Sequence, residues 1–241
     1  MAPGSVCDSV GVSPDRSPAV REAIRQAVSV SIATGLYGVS FGALAIAAGL
    51  DLPQTAALSL LMFSGGSQFA FIGVLGSGGA VAAVATAGLL GTRNGLYGPQ
   101  VTPLLGARGW RRPVAAQLTI DESTAVATAQ RDQAASRAGF WWTGIGVFVL
   151  WNAFTVVGSL LGDALGDPRR YGLDAAAAAA FLGLVWPRLG TRRARAAAGL
   201  AILVALGLTP FVPAGLPVLA AAAVAIVLGW SRPPVRSRSA A

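Results

Sequence analysis

Apolar stretches, most of them without a charged residue, recur seven or eight times along this chain and constrain its fold more than any other feature. They run approximately from Val28 to Leu50, Thr55 to Leu75, Ala80 to Leu105, Val114 to Ala129, Phe140 to Leu161, Leu173 to Trp186, Ala196 to Leu208 and Pro213 to Trp230. A helix needs about 20 apolar residues to cross the hydrocarbon of a bilayer, so the longer stretches predict membrane-spanning helices. Others are short or interrupted by Gly and Pro, which a membrane tolerates only where the loosened backbone is buried in protein or lines a wet cavity. The expected fold is an all-α integral membrane protein, a bundle of about 7–8 hydrophobic segments with some of them broken or re-entrant.

Composition supports that reading and removes others. The chain is 54% hydrophobic and 12% charged, with a mean hydropathy of +0.63, too apolar for an ordinary soluble domain. Its net charge of +8 does not point to nucleic acid, because the arginines fall in short clusters between apolar runs. That arrangement is the positive-inside pattern of a membrane protein. The chain has no histidine or lysine, and its single cysteine is Cys7. Histidine acid–base catalysis, Schiff-base chemistry and Cys/His metal sites are excluded, so neither an enzyme nor a cofactor is expected.

Residues 1–25 are polar, contain Pro3, Pro14 and Pro18, and lack the apolar core of a signal peptide, so they read as a disordered cytoplasmic tail. Residues 26–230 form the expected transmembrane domain, and 231–241 a basic cytoplasmic tail. Eight spans place Arg188, Arg192, Arg193, Arg195, Arg232, Arg236 and Arg238 inside, and Asp51, Asp163, Asp167 and Asp174 outside. They also place Arg108, Arg111 and Arg112 outside, against the rule. Making Thr55 to Leu75 and Val114 to Ala129 re-entrant removes the conflict, leaves six spans and keeps both termini in the cytoplasm. A possible internal repeat pairs Gly49-Leu50-Asp51 with Gly172-Leu173-Asp174, each triplet following an uncharged span.

Three polar interruptions are the candidate functional residues. Asp121 and Glu122 lie in an otherwise apolar segment, where a carboxylate costs at least about 2.5 kcal/mol and is rarely kept without a partner or a task. They are candidates for a proton or substrate-ammonium site, although the start of a helix would also hold them favourably on its dipole. Arg93 and Asn94 lie among glycines ahead of Pro99, where a guanidinium could grip a carboxylate bidentately or pair with Asp121 or Glu122. Ser64, Gly65, Gly66, Ser67 and Gln68 break the second segment, so that an unwound helix could offer N–H groups to an anionic substrate, or could simply pack closely. Val39 to Gly42 and the run Ala175 to Ala180 read as packing surface.

In order, Phe41-Gly42, Ser64-Gly65-Gly66-Ser67-Gln68-Phe69, Arg93-Asn94-Gly95-Leu96-Tyr97-Gly98 and Asp121-Glu122-Ser123 resemble the AzlC family, the large subunit of bacterial branched-chain amino acid exporters. The resemblance covers roughly Arg21 to the C-terminus and is strongest in the first half. Ser40, Thr92 and Ile120 depart from the residues common at those places in the family. The resemblance implies export of valine, leucine, isoleucine or a similar hydrophobic amino acid across the bacterial plasma membrane, with a small AzlD-type membrane subunit as partner. The sequence has no P-loop, so a secondary transporter is expected, and a channel or a transporter for another small solute is the other reading.

Overall fold

The computed structural model describes residues 17–165, 185–212 and 216–230, with positions 170, 172 and 182 between them. Among the described residues every regular element is helical. The helices are α1 (Pro18–Leu36), α2 (Gly38–Ala47), α3 (Leu52–Leu61), α4 (Gly66–Gly78), α5 (Ala80–Leu105), α6 (Arg111–Gln117), α7 (Asp121–Ala129), α8 (Gln133–Leu165), α9 (Arg192–Leu208) and α10 (Leu216–Trp230). A 3-10 turn at Trp186–Gly190 precedes α9. The chain forms two compact units, the first of Met1–Leu36 with Asn94–Ala153 and the second of Tyr37–Arg93 with Phe154–Ala241.

The first unit is built on α1. Pro18 fits the opening turn, where its missing N–H costs nothing, and the Ser17 hydroxyl accepts a hydrogen bond from Val20 N at 3.1 Å. The helix thus begins inside the stretch read as a tail. Val20, Ala23, Ala27, Ser31 and Gly35 form its buried stripe, while Val28, Ile32 and Leu36 stay exposed. The stripe meets the N-terminal part of α8, where Ala23 clusters with Ala135 and Gly35 abuts Leu150. The pairs advance together along both helices, so the two run parallel.

The segment Val114 to Ala129 does not cross this unit. It is the end of α6, a break at 118–120, and α7. Leu118 packs on Gly144, Val126 on Gly139, and Gln130 Nε2 donates to Gln26 Oε1 at 3.1 Å, so α7 runs against both α1 and α8. The hairpin opens and closes at one end of the unit. There Arg137 Nε donates to Leu104 O at 3.1 Å and Gln133 Nε2 reaches the Pro103 and Leu104 carbonyls at 3.4 Å.

The second unit has the same plan. Phe69 packs on Tyr37 and Phe41 with ring centroids 5.1 and 5.7 Å away, and Gly76 lies beside Ala48. Helix α4 therefore follows α2 in the same direction and α3 returns between them, a second hairpin whose tip is residues 62–65. Its outer end is set by Asp51, which accepts from Gln54 N at 2.7 Å while Gln54 Oε1 accepts from Asp51 N at 3.1 Å. Asp51 is thus an N-cap. Its proposed counterparts Leu173 and Asp174 lie outside the described residues, as do most of Leu173 to Trp186 and the run Ala175 to Ala180.

Small residues let α2 and the C-terminal part of α8 nearly touch. A Cβ added at Gly42 would stand 2.7 Å from Ser159 N, one at Gly158 2.7 Å from the Val39 carbonyl carbon, and one at Gly162 2.8 Å from Ala43 Cα. Val39 to Gly42 is packing surface, as expected. Helices α9 and α10 pair antiparallel, with Arg193 donating to Leu228 O at 2.8 Å, and no α9 residue is buried. Among the described residues two helices, Pro18–Ala47 read through the break at Tyr37 and Gln133–Ala164, are long and apolar enough to cross a membrane.

Replacing Gly158 by Leu should lower the thermal unfolding midpoint in detergent by an amount corresponding to about 1–3 kcal/mol of overpacking, because the obstacle is backbone. Gly88→Ala, with nothing within 4 Å of the added Cβ, should leave it unchanged or slightly raised. Equal midpoints for the two variants would contradict the close helix contact.

Candidate functional site

The two hairpin tips hold most of the polar residues singled out from the sequence. In the second unit α3 ends at Leu61 and α4 starts at Gly66, with Gly65 at φ +52°, a conformation that suits glycine. Gln68 is fully buried there. Its Oε1 accepts from Gly65 N at 3.2 Å and its Nε2 donates to Leu58 O at 3.3 Å, so one side chain ties the start of α4 to the end of α3. The Ser64 and Ser67 hydroxyls are 3.0 Å apart. From α5, Arg93 donates to the Ser64 carbonyl at 3.1 Å, which puts a cation beside the first turn of α4. A helix N-terminus and a guanidinium both favour negative charge.

In the first unit the tip is Leu118-Thr119-Ile120. Ser123 Oγ accepts from Ile120 N at 3.1 Å and donates to Leu118 O at 2.6 Å. Thr119 Oγ1 donates to Ala115 O at 2.7 Å. With these backbone groups met by side chains, α7 can start inside an apolar segment. Asp121 and Glu122 occupy its first turn, half-buried, where the dipole favours them. The Tyr97 hydroxyl of α5 donates a short hydrogen bond to Asp121 Oδ1.

The arrangement separates charge along the first unit. Arg21, Arg25, Arg108, Arg112, Arg131 and Arg137 belong to its open end, set by the Gln26–Gln130 and Leu104–Arg137 contacts, and the two carboxylates belong to the tip. The sequence-selected residues sort accordingly. Ser64, Gly65, Gly66, Ser67, Gln68 and Arg93 come together in the second unit, while Asn94, Asp121 and Glu122 belong to the first. The Asn94 Oδ1 atom is buried and has no hydrogen-bond donor among the described residues.

Tyr97 was not singled out. It sits inside the Arg93 to Gly98 motif, one helical turn after Arg93, but its pairing with Asp121 across 24 positions leaves no local signal. Among the described residues no group of His, Cys, Asp and Glu could hold a metal ion.

Gln68→Leu should destabilise the protein by about 1–3 kcal/mol, because it takes the acceptor from the Gly65 N–H and breaks the tie to the Leu58 carbonyl, which keeps only its bond from Met62 N at 3.0 Å. A thermal midpoint equal to that of wild type would show that the hairpin tip does not depend on this side chain.

A family model described as AzlC protein matches residues 29–165, which takes in both hairpins and ends where α8 ends. No curated protein and no solved structure matches the chain.

Proposed function

Since the chain belongs to the AzlC family, which is associated with branched-chain amino acid transport, we propose that it exports branched-chain or similar hydrophobic amino acids across the bacterial plasma membrane. In this reading it is the large subunit of a two-component secondary transporter and works with a small AzlD-type membrane subunit. The observation that supports it most is the pair of helical hairpins with polar tips. Helices α3 and α4 have 10 and 13 residues, and α6 and α7 have 7 and 9, all short of the roughly 20 needed to span. Broken helices whose N-termini face a polar interior are how transporter folds bring dipoles and backbone groups to a solute.

Treating both hairpins as re-entrant also gives one consistent orientation. The spans are then α1 with α2, α5, α8, α9 and α10, together with the apolar sequence stretch Leu173 to Trp186, most of which lies outside the described residues. This puts the arginines near 21–25, 108–112, 131–137, 188–195 and 232–238 on the cytoplasmic side, with Asp51 and Asp163 outside. Both termini are cytoplasmic.

Each tip has its own task. The tip of the second unit, with Arg93 beside the first turn of α4, receives the substrate carboxylate. Asp121 and Glu122 carry the coupling proton, and Tyr97 holds Asp121 in place.

Efflux of labelled leucine from preloaded cells lacking their own exporter should appear when this chain is expressed with its small partner. Asp121→Asn with Glu122→Gln should reduce it to background, and unchanged efflux in that double variant would sink the proton assignment. Arg93→Lys should reduce efflux at least tenfold, since an ammonium cannot reproduce the fork. For orientation, Ala107→Cys and Gln133→Cys in a Cys7→Ser background should react with an impermeant maleimide only from the cytoplasmic side. Labelling of Ala107→Cys from outside would contradict the re-entrant α6–α7 hairpin.

A further inference from the structure

The turn between α5 and α6 in the first unit brings three arginines together. Gly106 and Gly109 stand at φ +58° and +55°, conformations that suit glycine, and bend the chain sharply after α5. Arg111 N donates to Arg108 O at 3.3 Å and Arg112 N to Gly109 O at 3.1 Å, so Arg108, Arg111 and Arg112 share one tight turn. Their charge is not cancelled nearby. Of the carboxylates at this end, Glu22 pairs with Arg25 at 2.8 Å and Asp132 accepts from Ala135 N at 2.7 Å. Among the described residues none of the three arginines makes an ion pair. Trp110 lies in the same turn, 72% exposed, with the Arg111 guanidinium carbon 5.7 Å from its ring centre. An exposed indole among arginines suits the headgroup layer of a bilayer, where tryptophan is enriched.

Beside this turn a groove of about 380 Å³ opens between the C-terminal half of α5 and α6. Its walls are apolar apart from two threonines and one charged residue, Arg112. Leu105 and Arg112 mark the end next to the turn, and Gly98 and Thr119 the end toward the hairpin tip. On α5 the lining from Gly98 to Leu105 covers about 10 Å of helix, against roughly 15 Å for one leaflet of hydrocarbon. The groove thus has the length and the lining for part of an acyl chain, with cations at the end where a headgroup lies.

We propose that this turn and groove form a site for one anionic phospholipid. Its phosphate is held by Arg108, Arg111 and Arg112, and one acyl chain lies along Val101, Leu105, Pro113 and Ala115. Arginine forks bond phosphate oxygens in pairs, and basic pockets beside membrane helices take acidic headgroups. A zwitterionic lipid carries an ammonium beside the same phosphate, which the guanidiniums repel, so the site selects by headgroup charge. A free phosphate ester has no chain and leaves the groove unfilled. The bound lipid fixes the α6 arm of the hairpin to its leaflet. From the proposed orientation the inference takes only that this leaflet is the cytoplasmic one.

The test uses the full chain in uncharged detergent, with Cys7→Ser as background and Ala116→Cys as a reporter in the groove wall. Phosphatidylglycerol added to the micelles should slow the reaction of that cysteine with an uncharged methanethiosulfonate reagent at least fivefold, and phosphatidylcholine less than twofold. Arg108→Ala, Arg111→Ala and Arg112→Ala combined should abolish the difference between the lipids, and Arg112→Gln alone should at least halve it should the triple variant fail to fold. Arg25→Ala, at the same end on α1, should leave it unchanged. Equal slowing by both lipids would overturn the inference, since the groove would then take any acyl chain. Slowing by glycerol 3-phosphate would overturn it too, by making the turn a site for a soluble anion, as would no slowing by any of the three. Native mass spectrometry should show phosphatidylglycerol retained on the intact chain at least tenfold over phosphatidylcholine. Labelling in micelles needs neither an orientation nor leucine efflux, so its failure leaves the proposed transport standing, and absent efflux leaves the lipid site standing.

Discussion

The structure depends on a single requirement, that no backbone N–H or carbonyl be left unmet where a helix stops inside apolar surroundings. An unmet group costs several kcal/mol in a hydrocarbon setting, far more than helix propensity can offset. Both hairpins stop helices in that way, and both meet the requirement locally. Gln68 bonds the Gly65 N–H and the Leu58 carbonyl, and Ser123 bonds the Ile120 N–H and the Leu118 carbonyl. In each case the side chain three residues into the second helix closes its first turn. Arg93 adds a donor to the Ser64 carbonyl. The polar tips are therefore built first as structure, and the roles proposed for Arg93, Asp121 and Glu122 fall on or beside the groups that meet this requirement.

Support for the tips comes from close helix contact. Between helices in lipid, apolar surface gives no hydrophobic drive, so association relies on van der Waals contact, which glycine maximises by letting backbones meet. Gly42 and Gly158 do this between α2 and α8, and Ser31 with Gly146 does it between α1 and α8. The outward side of the same helices keeps Val28, Ile32, Ile145, Val149 and Leu160 exposed. Small residues inward and large aliphatics outward reverse the usual pattern of a soluble core, and suit a surrounding that is itself apolar.

Much of this was legible in the residues, and what was not has identifiable causes. Gly65-Gly66 marks a break in any apolar helix, so the first hairpin could be expected. Leu118-Thr119-Ile120 carries no glycine or proline, and its break becomes visible only once Ser123 and Thr119 are seen holding backbone groups. Hydropathy placed the starts of α1 and α8 too late, because Arg21, Glu22 and Arg25, and likewise Arg137, dilute their first turns. The spacing of Val20, Ala23 and Ala27, and the bond from Ala135 N to Asp132 at 2.7 Å, are the better signals there. The charge conflict at Arg108 to Arg112 suggests re-entry for Val114 to Ala129, and the structure gives that segment a break at 118–120 between α6 and α7. Asp51, conspicuous in the sequence, proves to be a helix cap.

Composition makes the chemistry of the tips sharper than geometry alone does. A proton carried through the membrane domain needs a group that exchanges it near neutral pH, and histidine is absent from this chain, as is lysine, whose pKa burial can lower. Arginine does not deprotonate in proteins, so the basic residues can orient the chain and bind anions but cannot relay protons. Cys7 lies in the polar N-terminal stretch. Among the acids, Asp8, Asp15, Glu22, Asp51, Asp132, Asp163, Asp167 and Asp174 fall in the N-terminal stretch, at segment ends or in loops, which leaves Asp121 and Glu122 within an apolar segment. If transport is coupled to protons within this subunit, elimination leads to those two carboxylates, and the bond from Tyr97 gives Asp121 a fixed partner whose hydroxyl can donate to the ionised form or accept from the neutral one.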